Sequence, residues 1–171
     1  MSEQWINPNF ELQYIQLTQK GGAFLTTANK GQVNTMTIGW ATLGCVWSKP
    51  VLMVAVRPMR HTYSILEQAL EFTVTIPKDD SLKEALAFCG TKSGRDHDKF
   101  AVCSLESIPA QAVATPVIAT SAWQYECKVI YRQEMQTEGI LLPQISERLY
   151  QPQHGKPHVL YFGEILAAYT I

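Results

Sequence analysis

Two short stretches hold most of the side chains able to do chemistry. "RPMRHTYS" (57–64) sets Arg57, Arg60 and His61 between an aliphatic run and a helical pattern, followed by the hydroxyls of Thr62 and Ser64. A helix start offers unpaired N–H groups and the positive end of the macrodipole, and arginine adds a bidentate cation, so a phosphate suits this position. The same residues also suit a solvated basic turn in which Thr62 or Ser64 only caps the helix, and residue types alone do not separate the two. "GTKSGRDHDKF" (90–100) gathers Lys92, Ser93, Gly94, Arg95 and Lys99 around two glycines. Such a loop can turn backbone amides and cations toward another part of a phosphorylated ligand. Asp96, His97 and Asp98 are metal-ligand types, but consecutive side chains rarely point to one place and nothing completes the set, so no metal site is expected.

A third stretch, "NTMTIGWATLGCVWSKP" (34–50), reads as a strand with many hydroxyls and little aliphatic bulk. Its threonines and Gly39 would let a flat polar heterocycle lie along the backbone, with Trp40 or Trp47 supplying a ring face. Equally, a strand tryptophan can be core and Cys45 an inert buried thiol. Fingerprints of the form G-x-G-x-x-G, G-x-x-x-x-G-K-[ST] and H-E-x-x-H are missing, so any nucleotide is held by another kind of scaffold.

The elements that must position these residues are mostly strands. "GGAFLTTA", "VNTMTIGWAT", "PVLMVAV", "EFTVTIP", "AWQYECKVIYRQEM" and "HVLYFGEILAAYTI" are rich in β-branched and aromatic residues, and turn sequences such as "NKGQ" and "WSKP" separate several of them. "EFTVTIP" and "YECKVIY" alternate as half-buried antiparallel strands do; "VLMVAV", apolar on both faces, belongs in the middle. A curled antiparallel sheet is expected. One helix is expected from about Thr62 to Leu70, with Ser64 and Glu67 as a capping box, and another with Ser81 as N-cap, Glu84 at N3 and Gly90 as its stop. From Glu134 to Pro157 the chain turns polar and proline-punctuated, with "ISERLY" the one helix-like fragment. This variable excursion, about 134–157, is long for a connection and suits a lid, a dimer arm or a surface loop.

At 171 residues, with 46% hydrophobic and 17% charged residues, the chain suits one folded domain spanning 1–171. A formal net charge of −1 gives no overall attraction for nucleic acid or an anionic membrane, so an anion site must be local. The longest aliphatic run is too short to span a bilayer and "MSEQWINPNFE" lacks a signal-peptide pattern, so cytoplasmic residence is expected. Cys45, Cys89, Cys103 and Cys127 are scattered, with no C-x-x-C pair, and read as reduced, mostly buried thiols.

Taken in order, "NTMTIGWATLGCVWSKP", "VLMVAVRPMRHTYSILEQALEFTVTIP", "CGTKSGRDHDKF", "TPVIA", "YECKV" and "HVLYFGEI" resemble the flavin reductase-like family of FMN-binding split barrels, its flavoredoxin branch above all. The resemblance implies a mainly β fold with a few helices, a Greek-key split β-barrel, which dimerises and holds FMN without covalent attachment near the subunit interface. It points to Asn34, Met36, Thr37, Ile38, Gly39, Trp40 and Cys45 along the isoalloxazine strand. The phosphate and ribityl side falls to Arg57, Arg60, His61, Thr62 and the loop Ser93, Gly94, Arg95 to Lys99, with His158 opening the last strand and Phe162 able to approach from it. The implied function is an FMN-dependent oxidoreductase that accepts hydride from NADH or NADPH and passes electrons to a flavin, a disulfide, a metal centre or a redox protein partner. The alternative is an FMN-binding electron carrier without nicotinamide activity. FMN carries the chemistry, so no catalytic side chain is implied, and Lys99 is the expected cation at the flavin N1 and O2 edge. A homodimer is implied, for which "TPVIA" and the aromatics Trp5, Phe10 and Tyr14 are candidate surfaces.

Overall fold

A computed structural model describes residues 10–171, apart from the side chains of Phe10, Glu11 and Tyr14. Trp5 and these two aromatic side chains therefore lie outside the described residues. Helix α1 (Phe10–Gln19) leads into the hairpin β1 (Ala23–Asn29) and β2 (Gln32–Ile38). A second hairpin follows, β3 (Ala41–Val46) and β4 (Lys49–Val56), then α2 (His61–Ala69) and β5 (Glu71–Pro77). Helices α3 (Lys83–Thr91) and α4 (Lys99–Val102) precede the short β6 (Ser107–Ile108) and β7 (Val117–Ile118). The long strands β8 (Ala122–Glu134) and β9 (Val159–Thr170) flank α5 (Pro143–Leu149).

Among the described residues seven strands form one antiparallel sheet in the order β2-β1-β5-β8-β9-β4-β3, and β6 pairs with β7 in a second, two-stranded sheet. The sheet curls until side chains of β2 (Met36, Ile38) and β4 (Leu52, Val54) share one core with Phe72, Val74, Trp123 and Tyr161. No ladder joins β2 to β4 among the described residues, so a seam stays open between them. Fully burying one such aromatic or aliphatic side chain is worth about 1.5–3 kcal/mol, which is what holds the curl.

The stretch 34–50, expected as one strand, is two strands at opposite ends of the sheet. Gly39 and Trp40 carry the chain across the seam, and the Trp40 carbonyl accepts from the Ala55 N–H at 3.3 Å. Both hairpins have two-residue turns with positive φ, Lys30-Gly31 and Trp47-Ser48, the geometry that matches the twist of antiparallel strands. Strand β4 is interior, between β9 and β3, although the centre of the sheet is β8.

Strand β5 departs from the half-buried reading, because Phe72 to Pro77 are all buried. Phe72, Val74 and Ile76 face the inner core, while Thr73 and Thr75 lie under the 105–118 segment, where Thr73 Oγ1 donates to Pro116 O at 2.7 Å. On β8, Tyr125, Glu126 and Cys127 are likewise all buried; Glu126 accepts from the Gln111 N–H at 2.8 Å. "TPVIA" is part of this cover, with Thr115, Val117 and Ile118 at most 1% exposed and Pro116 and Ala119 half-buried.

The helix signals need three corrections. Arg60 occupies the α2 N-cap without a side-chain cap, Ser64 Oγ donates back to His61 O at 2.9 Å, and Glu67 accepts from Tyr161 Oη at 2.6 Å, so the box does not form. Ser81 does not cap α3: Asp79 accepts the Ser81 N–H at 2.9 Å and starts a 3-10 turn, Asp80–Leu82, that runs into α3. Gly90 lies inside α3, where it lets Thr37 approach; a Cβ there would sit 3.3 Å from Thr37 Cβ. Helix α1, absent from the sequence reading, turns Gln13 and Gln16 inward, and Tyr125 Oη donates to Gln13 Oε1 at 2.6 Å.

Candidate functional site

A cleft of about 500 Å³ opens where the β4–α2 turn faces the α3–α4 loop. Its lining among the described residues includes five cationic side chains, Arg57, Arg60, Lys92, Arg95 and Lys99, and no carboxylate. Thr62, buried in the first turn of α2, accepts from Asn34 Nδ2 at 2.7 Å, which ties β2 to that turn. Gly94 brings the loop onto this pair so closely that a Cβ would stand 2.0 Å from Asn34 Oδ1 and 3.1 Å from His61 Cδ2. Ser93 Oγ accepts the Arg95 N–H at 3.1 Å, and Arg95 Nη1 donates to Met59 O at 3.2 Å.

His61 Nε2 lies 3.0 Å from the Gln32 side-chain amide nitrogen, and its buried Nδ1 has no partner among the described residues. Taking Nε2 as the acceptor of that contact assigns the ring proton to Nδ1. Burial, then Arg95 and Lys99, lower the His61 pKa and favour the neutral ring. Lys99, only 4% exposed, donates Nζ to Thr35 O at 2.9 Å and to Cys89 O at 2.8 Å. Burial lowers its pKa, Cys89 acts the other way, and Arg60 lowers it further.

A smaller hollow of about 150 Å³ continues into the seam and shares Met36, Arg57 and Arg60 with the first. Thr37, Ile38, Gly39, Trp40, Ala55 and His158 complete it. The two form one trough, cationic at its wide end and bounded by backbone and aromatic side chains at its narrow end. The Trp40 and His158 rings lie 4.4 Å apart at 35°, and His158 Nδ1 lies 3.0 Å from Tyr150 Oη. Burial, then Arg57 and Arg60, lower the His158 pKa to about 4, so the ring is neutral at pH 7.

Most of the residues singled out from the sequence meet in this trough, with instructive exceptions. Arg57 lines both hollows, but it holds the 134–157 excursion: Nη2 donates to Leu149 O at 2.7 Å and Nη1 to His154 O at 2.9 Å. Its guanidinium also lies 5.3 Å from the centre of the Tyr150 ring. The hydroxyls of β2 face away from the hollow, Thr37 Oγ1 to Leu86 O at 2.6 Å and Thr35 Oγ1 to Leu25 O at 3.3 Å. Cys45 is an exposed residue of β3 opposite Pro50, so it is not a buried thiol, and it lines neither hollow. Phe162 packs 5.5 Å from Tyr131, whose ring lies 5.7 Å from Trp47, also outside the trough. Met59, Gln153 and His154 line the wide end unannounced. The excursion's polarity marked a loop but not its destination. His97 packs against Phe88 at 5.5 Å and Asp98 accepts the Ala101 N–H at 3.1 Å, so both have local structural contacts.

The profile of the flavin reductase-like domain matches residues 17–171. A protein of Archaeoglobus fulgidus described only as uncharacterised is 26% identical over 140 residues, covering 81% of this chain and 78% of its own. Flavoredoxin from Methanosarcina acetivorans superposes with a TM-score of 0.69 at 22% identity, covering 100% of this chain and 76% of that one. An NADH:FAD oxidoreductase of Streptomyces globisporus gives 0.66 at 16% identity, with 100% and 89% covered. The two solved structures share the fold, a mainly β split-barrel architecture. The profile match extends over nearly the whole chain, from α1 through β9, and on that ground this protein belongs to the flavin reductase-like family.

Proposed function

We propose that the trough holds FMN without a covalent bond and that the chain is an FMN-dependent oxidoreductase of the flavin reductase and flavoredoxin type. In this reading it takes hydride from NADH or NADPH and passes electrons to a second flavin, a disulfide, a metal centre or a protein. The observation that carries it is the polarity of the trough: a carboxylate-free cationic end joined to a narrow seam of backbone and aromatic groups. The flavoredoxin and NADH:FAD oxidoreductase neighbours lend support through fold alone.

The residues present fit the cofactor. Gly94 lets the cationic loop lie directly against Asn34 and His61, where a side chain would clash, and His61 Nδ1 is a buried polar atom without a partner among the described residues at the edge of the cleft. Arg60, Lys92 and Arg95, with Ser93, would bind the phosphate; Arg57 has donors committed to the excursion and contributes charge. Met36 to Trp40 would bound the ring, and Lys99 fixes β2 against α3 while adding positive charge beside it. Bound FMN would supply both hydride and single-electron chemistry. No acid or base of the chain is needed for hydride transfer, and the neutral His158 orients Trp40 and Tyr150 rather than donating a proton at pH 7. The reading includes a homodimer with the trough near the subunit boundary.

The test is the visible absorption spectrum of the protein as purified and after FMN is added, followed by anaerobic titration with NADH and then NADPH. Flavin bands that bleach with either nicotinamide are the expected result. Flavin that binds but resists both nicotinamides, while a photochemical donor reduces it, selects the electron-carrier alternative. A protein that neither carries nor takes up flavin overturns both.

A further inference from the structure

We propose that the 3-10 turn Pro152–His154 of the excursion is a third wall of the cationic cleft, which recognises a phosphate ester through Gln153 and His154, so that ligand and excursion keep each other closed. Both residues line the wide end, together with the β4–α2 turn and the α3–α4 loop. The three segments converge on Met59. Its carbonyl accepts from Arg95 Nη1 at 3.2 Å, and its sulfur lies 3.7 Å from where a Cβ on Gly155 would stand. Gly155 ends the turn at a φ of 72°, left-handed backbone that glycine adopts without strain.

His154 is held from two sides. Arg57 Nη1 donates to its carbonyl at 2.9 Å, and its own Nδ1 accepts the Gln151 N–H at 3.2 Å. With Nδ1 an acceptor, the proton of the neutral ring sits on Nε2, a donor with no bond to the described residues. The exposed Gln153 side chain is likewise without a hydrogen bond among the described residues. Neutral donors in a wall that carries five cations and no carboxylate suit a ligand oxyanion, since a bond to a charged acceptor is stronger than one between neutral groups.

Among the described residues Arg57 supplies most of the bonds that hold the excursion, through the carbonyls of Leu149, His154 and Lys156. A segment held in this way opens locally more readily than the sheet does. A phosphate that touches both the cationic segments and the turn binds the closed form better than the open one, and linkage then makes it suppress opening. Identifying that ester as FMN rests on reading the trough as the flavin site; closure by phosphate does not.

Trypsin reads the closure at Arg148, exposed in the last turn of α5. The full-length protein is digested at constant ionic strength alone, with FMN, with riboflavin and with inorganic phosphate, and cleavage at Arg148 is timed by mass spectrometry. FMN at about 100 times its dissociation constant is expected to slow that cleavage by about fivefold or more, and riboflavin at equal occupancy by less than about twofold. Combining Gln153→Ala with His154→Ala is expected to raise the dissociation constant of FMN by about tenfold or more and to leave that of riboflavin within about twofold. Bound FMN that leaves cleavage at Arg148 unchanged overturns the wall, as does equal protection by riboflavin or an FMN affinity that ignores the double substitution. A protein that takes up no flavin but is protected by millimolar phosphate supports the wall and counts against the flavin reading. Neither flavin uptake nor protection by phosphate overturns both.

Discussion

His158 and Lys99 show how neighbouring cations act on one half-buried and one buried group, with Arg60 lowering the pKa of both. His158 titrates near 4 in the folded protein, chiefly through burial and then through Arg57 and Arg60, against an ordinary value of 6.5. Between those values the unfolded chain binds a proton that the folded chain does not, so stability falls as pH drops through this window and levels off below it. The ring is only half-buried, and solvent screening reduces the loss to on the order of 1–2 kcal/mol. His158→Gln should therefore lie closer to the wild type in melting temperature at pH 4.5 than at pH 7; a constant gap across that range would show that His158 does not drive the acid response. Lys99 is held by the carbonyls of Thr35 and Cys89. Lys99→Met leaves both oxygens buried without this donor, at about 1–3 kcal/mol each, so urea unfolding should move to a clearly lower midpoint and FMN retention should weaken. An unchanged midpoint would mean that water replaces the ammonium freely.

Among the described residues the excursion is held by Arg57, by the Tyr150–His158 contact and by the Met135 N–H to His158 O, with Arg57 supplying the most bonds. Arg57 holds its last turn by the carbonyls of Leu149, His154 and Lys156, and Tyr150 and His158 pack beside that anchor. Arg57→Ala removes charge-assisted bonds from a segment that otherwise carries exposed Leu141, Leu142 and Ile145. Proteolysis within 143–156 should accelerate by at least about tenfold while the main melting transition shifts little, as expected for local opening. If cleavage stays slow, contacts other than Arg57 hold the excursion. The sequence could mark Arg57 as a cation beside a helix start, because residue types carry that much. It could not show that the guanidinium is taken up by carbonyls about a hundred positions away, since backbone acceptors leave no trace in residue type. Strands such as β1 and β5 were legible through their β-branched runs. Helix α1 was not, because its inward positions are Gln13 and Gln16. Nor was the break after Ile38, because Gly39-Trp40 crosses the seam without a turn signature; Gly94, in contrast, sits where "SGRD" advertised a loop able to approach a partner closely.

At the scale of the whole molecule, charge is the variable that separates the trough from its surroundings. The chain carries a formal net charge of −1, yet among the described residues five cations and no carboxylate line the wide end. None of the described helices is long and apolar enough to cross a membrane. Composition could reveal the near-zero total but not this segregation, which depends on the curl of the sheet bringing 57–61 and 92–99 together. A local cationic end should act on the phosphate of FMN and hardly at all on riboflavin, which shares the ring and the ribityl chain but lacks that charge. Screening shortens the Debye length from about 10 Å at 0.1 M salt to about 3 Å at 1 M, so exposed cations such as Lys92 and Arg95 lose most of their reach across that range. The dissociation constant of FMN, followed by flavin fluorescence, should rise by about tenfold over the same range, while that of riboflavin moves much less. Substituting Arg95→Gln should flatten the FMN dependence without altering riboflavin binding. Equal salt dependence for the two flavins would place the phosphate outside the wide end and leave its five cations without the role proposed for them.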